Sequence, residues 1–139
     1  MIILDTNILS AVMREIPDPI IVEWLDSQPT ESIWTTAITV FEIRLGIAIL
    51  EKGKRLAKLE HTFQLALKEV LEGRVLPFDE PSAMASAEIA ATRRRKGITV
   101  DMRDTQIAGI AVAKRSTIAT RNITDFQDLA VPIINPWED

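Results

Sequence analysis

Short apolar runs alternate with helix-length segments along this chain, and the alternation constrains its fold more than any other feature. The runs lie at residues 1–4, 32–36, 75–78, 117–120 and 131–135. A continuous apolar run is typical of a strand that is buried on both faces, as in a parallel sheet covered by helices. The alternation therefore predicts an α/β fold in which helices cover both faces of a parallel sheet.

Six segments between these strands have the length and apolar spacing of helices. They cover approximately residues 6–13, 20–27, 37–50, 54–72, 81–96 and 102–115. The third segment is apolar nearly all round, which predicts a buried helix, and Glu42 is its single acid. In the last segment Ala108, Gly109 and Ala111 are small, so we expect this helix to pack closely on the sheet.

The composition is that of one soluble domain spanning residues 1–139, with 47% hydrophobic and 26% charged residues. No stretch approaches the roughly 20 apolar residues of a membrane span, and the amino terminus lacks the basic leader of a signal peptide. The chain has no cysteine, which excludes disulfides and thiolate metal sites. We therefore predict a cytoplasmic protein without membrane association.

The net charge of −4 argues against a simple nucleic-acid-binding protein, which would normally be basic overall. The cations are nevertheless grouped at two places along the chain, residues 52–58 and residues 93–96. Each group taken singly has the pattern of a solvated helix face or helix end, where cations are favoured by the helix dipole.

Acidic and polar residues fall where strands end or helices begin. Asp5 ends the first strand, Asp125 closely follows the fourth, and Glu42 and Asp104 lie in the first turns of two helices. Because parallel strands direct their carboxyl ends to one edge of a sheet, we expect these acids to share that edge. Clustered buried carboxylates repel one another unless protons or cations offset the charge.

Oxygen ligands of this kind are preferred by hard divalent cations such as Mg²⁺ or Mn²⁺. Zinc is disfavoured, because the chain has no cysteine and only one histidine, His61. Structural roles stay open for individual acids, since Asp5 could simply cap the next helix and Asp101 could cap the helix that contains Asp104. Arg44 does not face Glu42 at a spacing of two residues, so Glu42 lacks an obvious neutralising neighbour.

Four stretches resemble motifs of the PIN-domain family in order and spacing: "LDTN" at the start, "TVFEIRLG", "RDTQIAGIA" and "ATRNITDF". The chain is similar in particular to VapC-type toxins of bacterial toxin–antitoxin pairs. "RVLPFDEP" and the terminal "NPWED" make it resemble the FitB-like branch most. The resemblance implies a three-layer α/β/α fold with a four- to five-stranded parallel sheet, a homodimer, and Mg²⁺- or Mn²⁺-dependent cleavage of RNA that leaves a 5′-phosphate.

The same resemblance implies roles for individual residues. Asp5, Glu42 and Asp104 become the catalytic acids that hold the metal, and Asp125 becomes the candidate fourth acid. The supporting polar residues are Thr6, Asn7, Arg121 and Asn122. FitB-like sequences can carry an acid directly after "TR", whereas this chain has the uncharged Asn122, and this departure affects a second metal more than the first.

A nuclease of this type is usually held by a small DNA-binding antitoxin, which the resemblance implies as the partner, with higher-order assembly in the complex. Arg94 and Arg95 are candidate RNA contacts flanking a groove in the dimer. An alternative function is a FitB-like partner that modulates an antitoxin's binding to operator DNA with little or no catalysis. A phospho-acceptor domain of receiver type fits less well, because "DTN" contains a single acid.

Overall fold

A computed structural model describes residues 1–138, and at its centre lies a five-stranded sheet. The strands are β1 (Ile2–Leu4), β2 (Ile33–Thr36), β3 (Val75–Leu76), β4 (Thr117–Ala119) and β5 (Ile133–Ile134). They lie in the order β3-β2-β1-β4-β5, and every neighbouring pair is parallel. The predicted parallel sheet is confirmed, with β1 at its centre.

Six α-helices connect these strands within residues 1–138. They are α1 (Thr6–Val12), α2 (Pro19–Asp26), α3 (Ala37–Ala48), α4 (Lys54–Leu65), α5 (Glu80–Arg95) and α6 (Met102–Lys114). The segment predicted as one helix over 54–72 is α-helical only to Leu65 and continues as a π-helical turn over Ala66–Val70. None of the helices in this part of the chain combines the length and apolar character needed to cross a membrane.

Two hydrophobic clusters cover the two faces of the sheet. Leu4 and Ala119 point into a cluster with α1 to α4, where Phe63 is completely buried. Their neighbours Ile3 and Ile118 point to the opposite face, where they pack with residues of α6. Because side chains alternate along a strand, a fully apolar strand supplies both clusters at once. This arrangement is the three-layer α/β/α fold that the resemblance implies.

Helix α3 is not the buried helix that its composition predicts. Phe41, Leu45 and Ile49, on α3 and directly after it, are 56%, 43% and 75% exposed, respectively. Only one side of α3, which carries Thr39, Ile43 and Ile47, is buried. An apolar stretch buries only the side that meets a neighbouring element, and here the other side carries exposed apolar residues.

Gly109 allows a close contact between two helices and not the predicted contact with the sheet. A Cβ atom at this position would lie 2.7 Å from the carbonyl oxygen of Ser82 and would also overlap Ser86 Oγ, both in α5. The small residue therefore allows α6 to approach α5, whereas Ala108 and Ala111 lie in the cluster on the sheet.

Candidate active site

An open cavity of about 440 Å³ lies at the edge of the sheet where β1 and β4 end. Three of the predicted acids, one following β1, one from α3 and one from α6, line this cavity together. The lining residues are Asp5, Thr6, Asn7, Ser10, Arg14, Glu42, Asp101, Arg103, Asp104, Arg121 and Asn122. Residues that are up to 117 positions apart in the chain are therefore brought to one place by the parallel topology.

Asp5 is both a helix cap and the buried acid of this cavity. Its Oδ1 accepts a hydrogen bond of 2.8 Å from the Thr6 backbone N–H and thereby caps α1. Its Oδ2 accepts hydrogen bonds from Thr120 Oγ1 at 2.8 Å and Asn7 Nδ2 at 3.4 Å. Only 3% of the residue is exposed. Burial raises the pKa of Asp5, and its hydrogen bonds oppose that rise.

Glu42 faces Asp5 across the cavity and is oriented by Thr6. The Thr6 hydroxyl donates to Glu42 Oε1 at 3.1 Å and lies 3.3 Å from the hydroxyl of Thr39. Arg103 Nη1 lies 3.8 Å from Glu42 Oε2. The sequence did not reveal this neutralising partner, because it comes from α6 and not from α3. Burial raises the pKa of Glu42, and the Thr6 hydrogen bond and Arg103 lower it.

Asp104 has the most perturbed carboxyl group of the cavity. Burial, followed by the negative charges of Asp5, Asp125 and Glu42, raises its pKa from 3.8 to about 7. Asp101 takes the predicted role of N-cap of α6, accepting from the Arg103 backbone N–H at 2.8 Å. Both acids line the cavity, but Asp101 caps α6 and pairs with Arg103, whereas Asp104 has the strongly raised pKa.

Asp125 lies beside the cavity, where its carboxylate helps to raise the pKa of both Asp5 and Asp104. Its backbone carbonyl accepts a 2.6 Å hydrogen bond from Arg93 Nη2. The same guanidinium donates to both carboxylate oxygens of Asp128 at 2.8 Å and to Thr105 Oγ1 at 3.0 Å.

Arg93 therefore does not belong to the solvated basic group in which its sequence neighbours place it. Only 3% of it is exposed, whereas Arg94, Arg95 and Lys96 are exposed. Through Thr105 and Asp125 it links the start of α6, which carries Asp104, to the segment after β4. A run of four cations in the sequence does not show which of them is paired.

The segment after β4 completes the rim. Asn7 Oδ1 accepts from the Arg121 backbone N–H at 3.1 Å, and the Asn122 N–H donates to Thr120 Oγ1 at 3.0 Å. The Arg121 guanidinium carbon lies 3.8 Å from the ring centroid of Trp137. Thr6, Asn7, Arg121 and Asn122 are thus all placed at the cavity, as expected for supporting residues.

Arg94 and Arg95 lie away from the acids, at the carboxyl end of α5. Arg94 lines a separate cavity of about 580 Å³ together with Gly97, Met102 and Thr105. Because Met102 opens α6 and Asp104 follows two residues later, this second cavity lies close to the acidic one along the chain.

The donor set suits a hard divalent cation in its chemistry. Within residues 1–138, no three His, Cys, Asp or Glu side chains lie as close together as a bound ion would require. The oxygens that line the acidic cavity nevertheless belong to carboxylates, hydroxyls and amides, which are the ligands of Mg²⁺ and Mn²⁺. Burial and then the repulsion of the neighbouring acids raise the pKa of Asp104, and a cation between the acids would offset both.

A parallel three-layer fold with acids at the carboxyl edge of the sheet defines a recognisable class of protein. The sequence model of the PIN domain matches residues 2–132, and the chain belongs to this family.

Two relatives match the chain over nearly its whole length. Toxin FitB of Neisseria gonorrhoeae is 39% identical over 139 residues, which are 100% of both chains. VapC ribonuclease Y4jK of Sinorhizobium fredii is 37% identical over 138 residues, which are 99% of both. The solved structure of FitAB bound to an IR36 DNA fragment has a TM-score of 0.87 at 39% identity and covers 99% of this chain and 96% of that chain. The resemblance to VapC- and FitB-type proteins is therefore confirmed.

Proposed function

We propose that this protein is a divalent-metal-dependent ribonuclease that acts as the toxin of a toxin–antitoxin pair. The observation that carries the proposal is the convergence of Asp5, Glu42 and Asp104, from three separate elements, on one cavity. Membership of the PIN domain family and the similarity to a relative named a VapC ribonuclease support it. Structural caps alone would not require three acids to face one another at a cost in repulsion.

Asp5, Glu42 and Asp104 are the residues that would hold Mg²⁺ or Mn²⁺. When bound there, such an ion supplies polarisation of the scissile phosphate, a bound water of lowered pKa and stabilisation of the leaving oxygen. Thr120 and Asn7 fix the orientation of the Asp5 carboxylate, and Thr6 fixes that of Glu42. The carboxylates are therefore oriented before an ion arrives.

Asp125 is proposed as the fourth acid, because it already interacts electrostatically with Asp5 and Asp104. Asn122 lines the cavity and offers a carbonyl oxygen without charge. This combination gives the cavity one formal negative charge fewer than an acid at position 122 would.

The partners are proposed on the same basis. RNA is the substrate, and Arg94 and Arg95 contact its phosphates from the exposed end of α5. A small DNA-binding antitoxin holds the protein, with a cation inserted among the acids, and the chain acts as a cytoplasmic homodimer. Arg103, 3.8 Å from Glu42, illustrates how an arginine reaches these carboxylates.

Cleavage of total cellular RNA by antitoxin-free protein tests the proposal directly. New 5′ ends are mapped by sequencing after incubation with Mg²⁺ or Mn²⁺. We expect discrete cuts that disappear with a chelator and in the Asp5→Asn variant. Ser10→Ala is a matched control, because Ser10 is an exposed residue of the same cavity and has no carboxylate.

Absence of cuts from folded protein would refute the nuclease function. In that case the acids would serve as a binding site for an antitoxin cation, and the protein would act as a binding partner that modulates operator binding. Cuts that persist in Asp5→Asn would instead place the catalytic site elsewhere on the protein.

A further inference from the structure

Trp137 contacts a residue of the candidate active site, although it belongs to none of the sequence motifs that contain the acids. Trp137 does not line the acidic cavity, but its ring lies against Arg121, which does. Arg121 is exposed, and its guanidinium lies 3.8 Å from the Trp137 ring centroid. A contact of this length between a guanidinium and an indole face is a close cation–π stack.

Trp137 is itself fixed from two sides. Its indole N–H donates to Asp18 Oδ2 at 2.9 Å, and its backbone N–H donates to Asn135 Oδ1 at 3.0 Å. Asp18 also caps α2 by accepting from the Ile20 N–H at 3.0 Å, so the indole of Trp137 is tied to the start of this helix. The hydrogen bond from Trp137 lowers the pKa of Asp18, which therefore stays ionised and keeps accepting. The ring against Arg121 is thus held in place by two hydrogen bonds.

The stack determines what the Arg121 side chain does. Asp5, Asp104 and Asp125 create a negative field nearby, and an unrestrained arginine would be drawn to those carboxylates as Arg103 is drawn to Glu42. Within the described residues, the Arg121 side chain makes neither an ion pair nor a hydrogen bond. A guanidinium that stacks through its face keeps its in-plane N–H donors directed outwards, and these donors match a phosphate in a bidentate manner.

We propose that Trp137 is a positioning residue that, anchored by Asp18, holds Arg121 at the rim of the acidic cavity as a contact for an RNA phosphate next to the cleaved one. The inference rests on the proposed function for the identity of the anion. It adds the reason why a cation adjacent to an acidic cavity does not neutralise it, and it assigns a role to the terminal "NPW" sequence.

A double-mutant cycle tests this role without requiring cleavage. Binding of a fluorescein-labelled single-stranded RNA is measured by anisotropy in EDTA at several salt concentrations, for wild type, Trp137→Leu, Arg121→Gln and the double variant. We expect each single change to weaken binding about three- to tenfold and to lower the salt slope by about 0.7, the value of one lost phosphate contact. The double variant should bind no more weakly than Arg121→Gln.

Two further variants separate positioning from general packing. Trp34→Leu is the matched control, because Trp34 is also partly buried against the core. Its indole N–H donates to the backbone carbonyl of Glu31, which does not line the acidic cavity. The Trp34→Leu variant should bind RNA as the wild type does. Trp137→Phe keeps an aromatic face and should lose less affinity than Trp137→Leu, which keeps the test valid if the leucine variant does not fold.

Additive losses in the double variant, unchanged binding by Trp137→Leu, or equal losses from Trp34→Leu would each overturn the inference. Wild-type protein that does not bind RNA would overturn it too. RNA binding that shows the coupling in a protein without nuclease activity would support this role and refute the nuclease function. Cleavage by a protein that shows no coupling between Trp137 and Arg121 would support the nuclease function and refute the positioning role.

Discussion

Among single residues, Asp104 shows most directly how burial, together with the neighbouring acids, disfavours a charged carboxylate in the cavity. Its pKa of about 7 means that at neutral pH the carboxyl group is protonated about half of the time in the folded protein, whereas in the unfolded chain it ionises near 3.8. Between these two values the folded state retains a proton that the unfolded chain releases. The free energy of unfolding therefore falls progressively as the pH rises from about 4, and this loss is complete above about 7, where Asp104 is ionised in both states.

Asp104→Asn should consequently stabilise the metal-free protein at pH 8. We expect a gain of about 1–2 kcal/mol in the free energy of unfolding, a figure reduced for the solvent screening of this half-exposed group. The gain should shrink as the pH falls and vanish near pH 4. Urea unfolding of both proteins across this pH range measures it, with Mn²⁺ calorimetry to show that the variant binds the ion more weakly. A gain that is independent of pH would contradict the assignment.

Arg93 is the second residue whose environment permits a firm prediction. Replacing it with methionine leaves the Asp125 carbonyl and the partly exposed Asp128 carboxylate without their donor, so we expect a loss of about 1–3 kcal/mol in the free energy of unfolding. Arg95→Met is the matched control, since Arg95 is exposed on the same helix, and it should change stability by less than about 0.5 kcal/mol. Equal losses in both variants by urea unfolding would show that Arg93 has no special role.

The acids of the candidate site could be predicted from the sequence, whereas their partners could not. Asp5, Glu42 and Asp104 each follow a strand end or begin a helix, and that position is readable from local pattern. Arg103, Arg93 and Trp137 act across elements that are far apart in the chain, and nothing in their own neighbourhoods shows which element they will meet. Their roles depend on packing, and packing was visible only in the structure.

At the scale of elements, replacing each of two helical glycines with alanine is expected to change stability in opposite directions. Gly109→Ala places a methyl group against Ser82 and Ser86 of α5, which forces α5 and α6 apart, and we expect a loss of about 1–3 kcal/mol. A Cβ at Gly46 in α3 meets no atom within 4 Å in the described chain. Gly46→Ala should therefore raise stability by about 0.5–1 kcal/mol through helix propensity. Thermal unfolding of the two variants checks both signs, and destabilisation by Gly46→Ala would indicate that α3 has an undescribed contact.

Element types were predictable because each strand is a short apolar run and each helix has its own spacing. Strand lengths were overestimated at β3 and β5, since apolar residues such as Phe78 and Val131 continue a run without pairing in the sheet. The burial of α3 was predicted wrongly for a related reason: hydrophobicity alone does not tell whether a neighbour exists to cover each side.

For the whole molecule, the net charge of −4 requires that cations be placed locally if RNA is to bind. We expect Arg94→Glu/Arg95→Glu to weaken RNA binding and to reduce the salt slope by about 1.4, the value of two phosphate contacts on a single strand. Lys68→Glu/Arg115→Glu makes the same charge change at exposed positions. Arg115 precedes β4 and therefore lies at the edge of the sheet opposite the acids. If both double variants weakened binding equally in anisotropy titrations, net charge and not position would be responsible.

The strand order has a consequence for the folding of the protein during its synthesis on the ribosome. The Asp5 carboxylate is oriented by Thr120, and β1 is flanked by β4, whose residues are made more than 110 positions after those of β1. A nascent chain therefore carries Asp5, Glu42 and Asp104 without an assembled cavity until β4 has been synthesised. Whatever the cavity cleaves or binds, its activity begins only after β4 and Thr120 have been synthesised and have packed against β1.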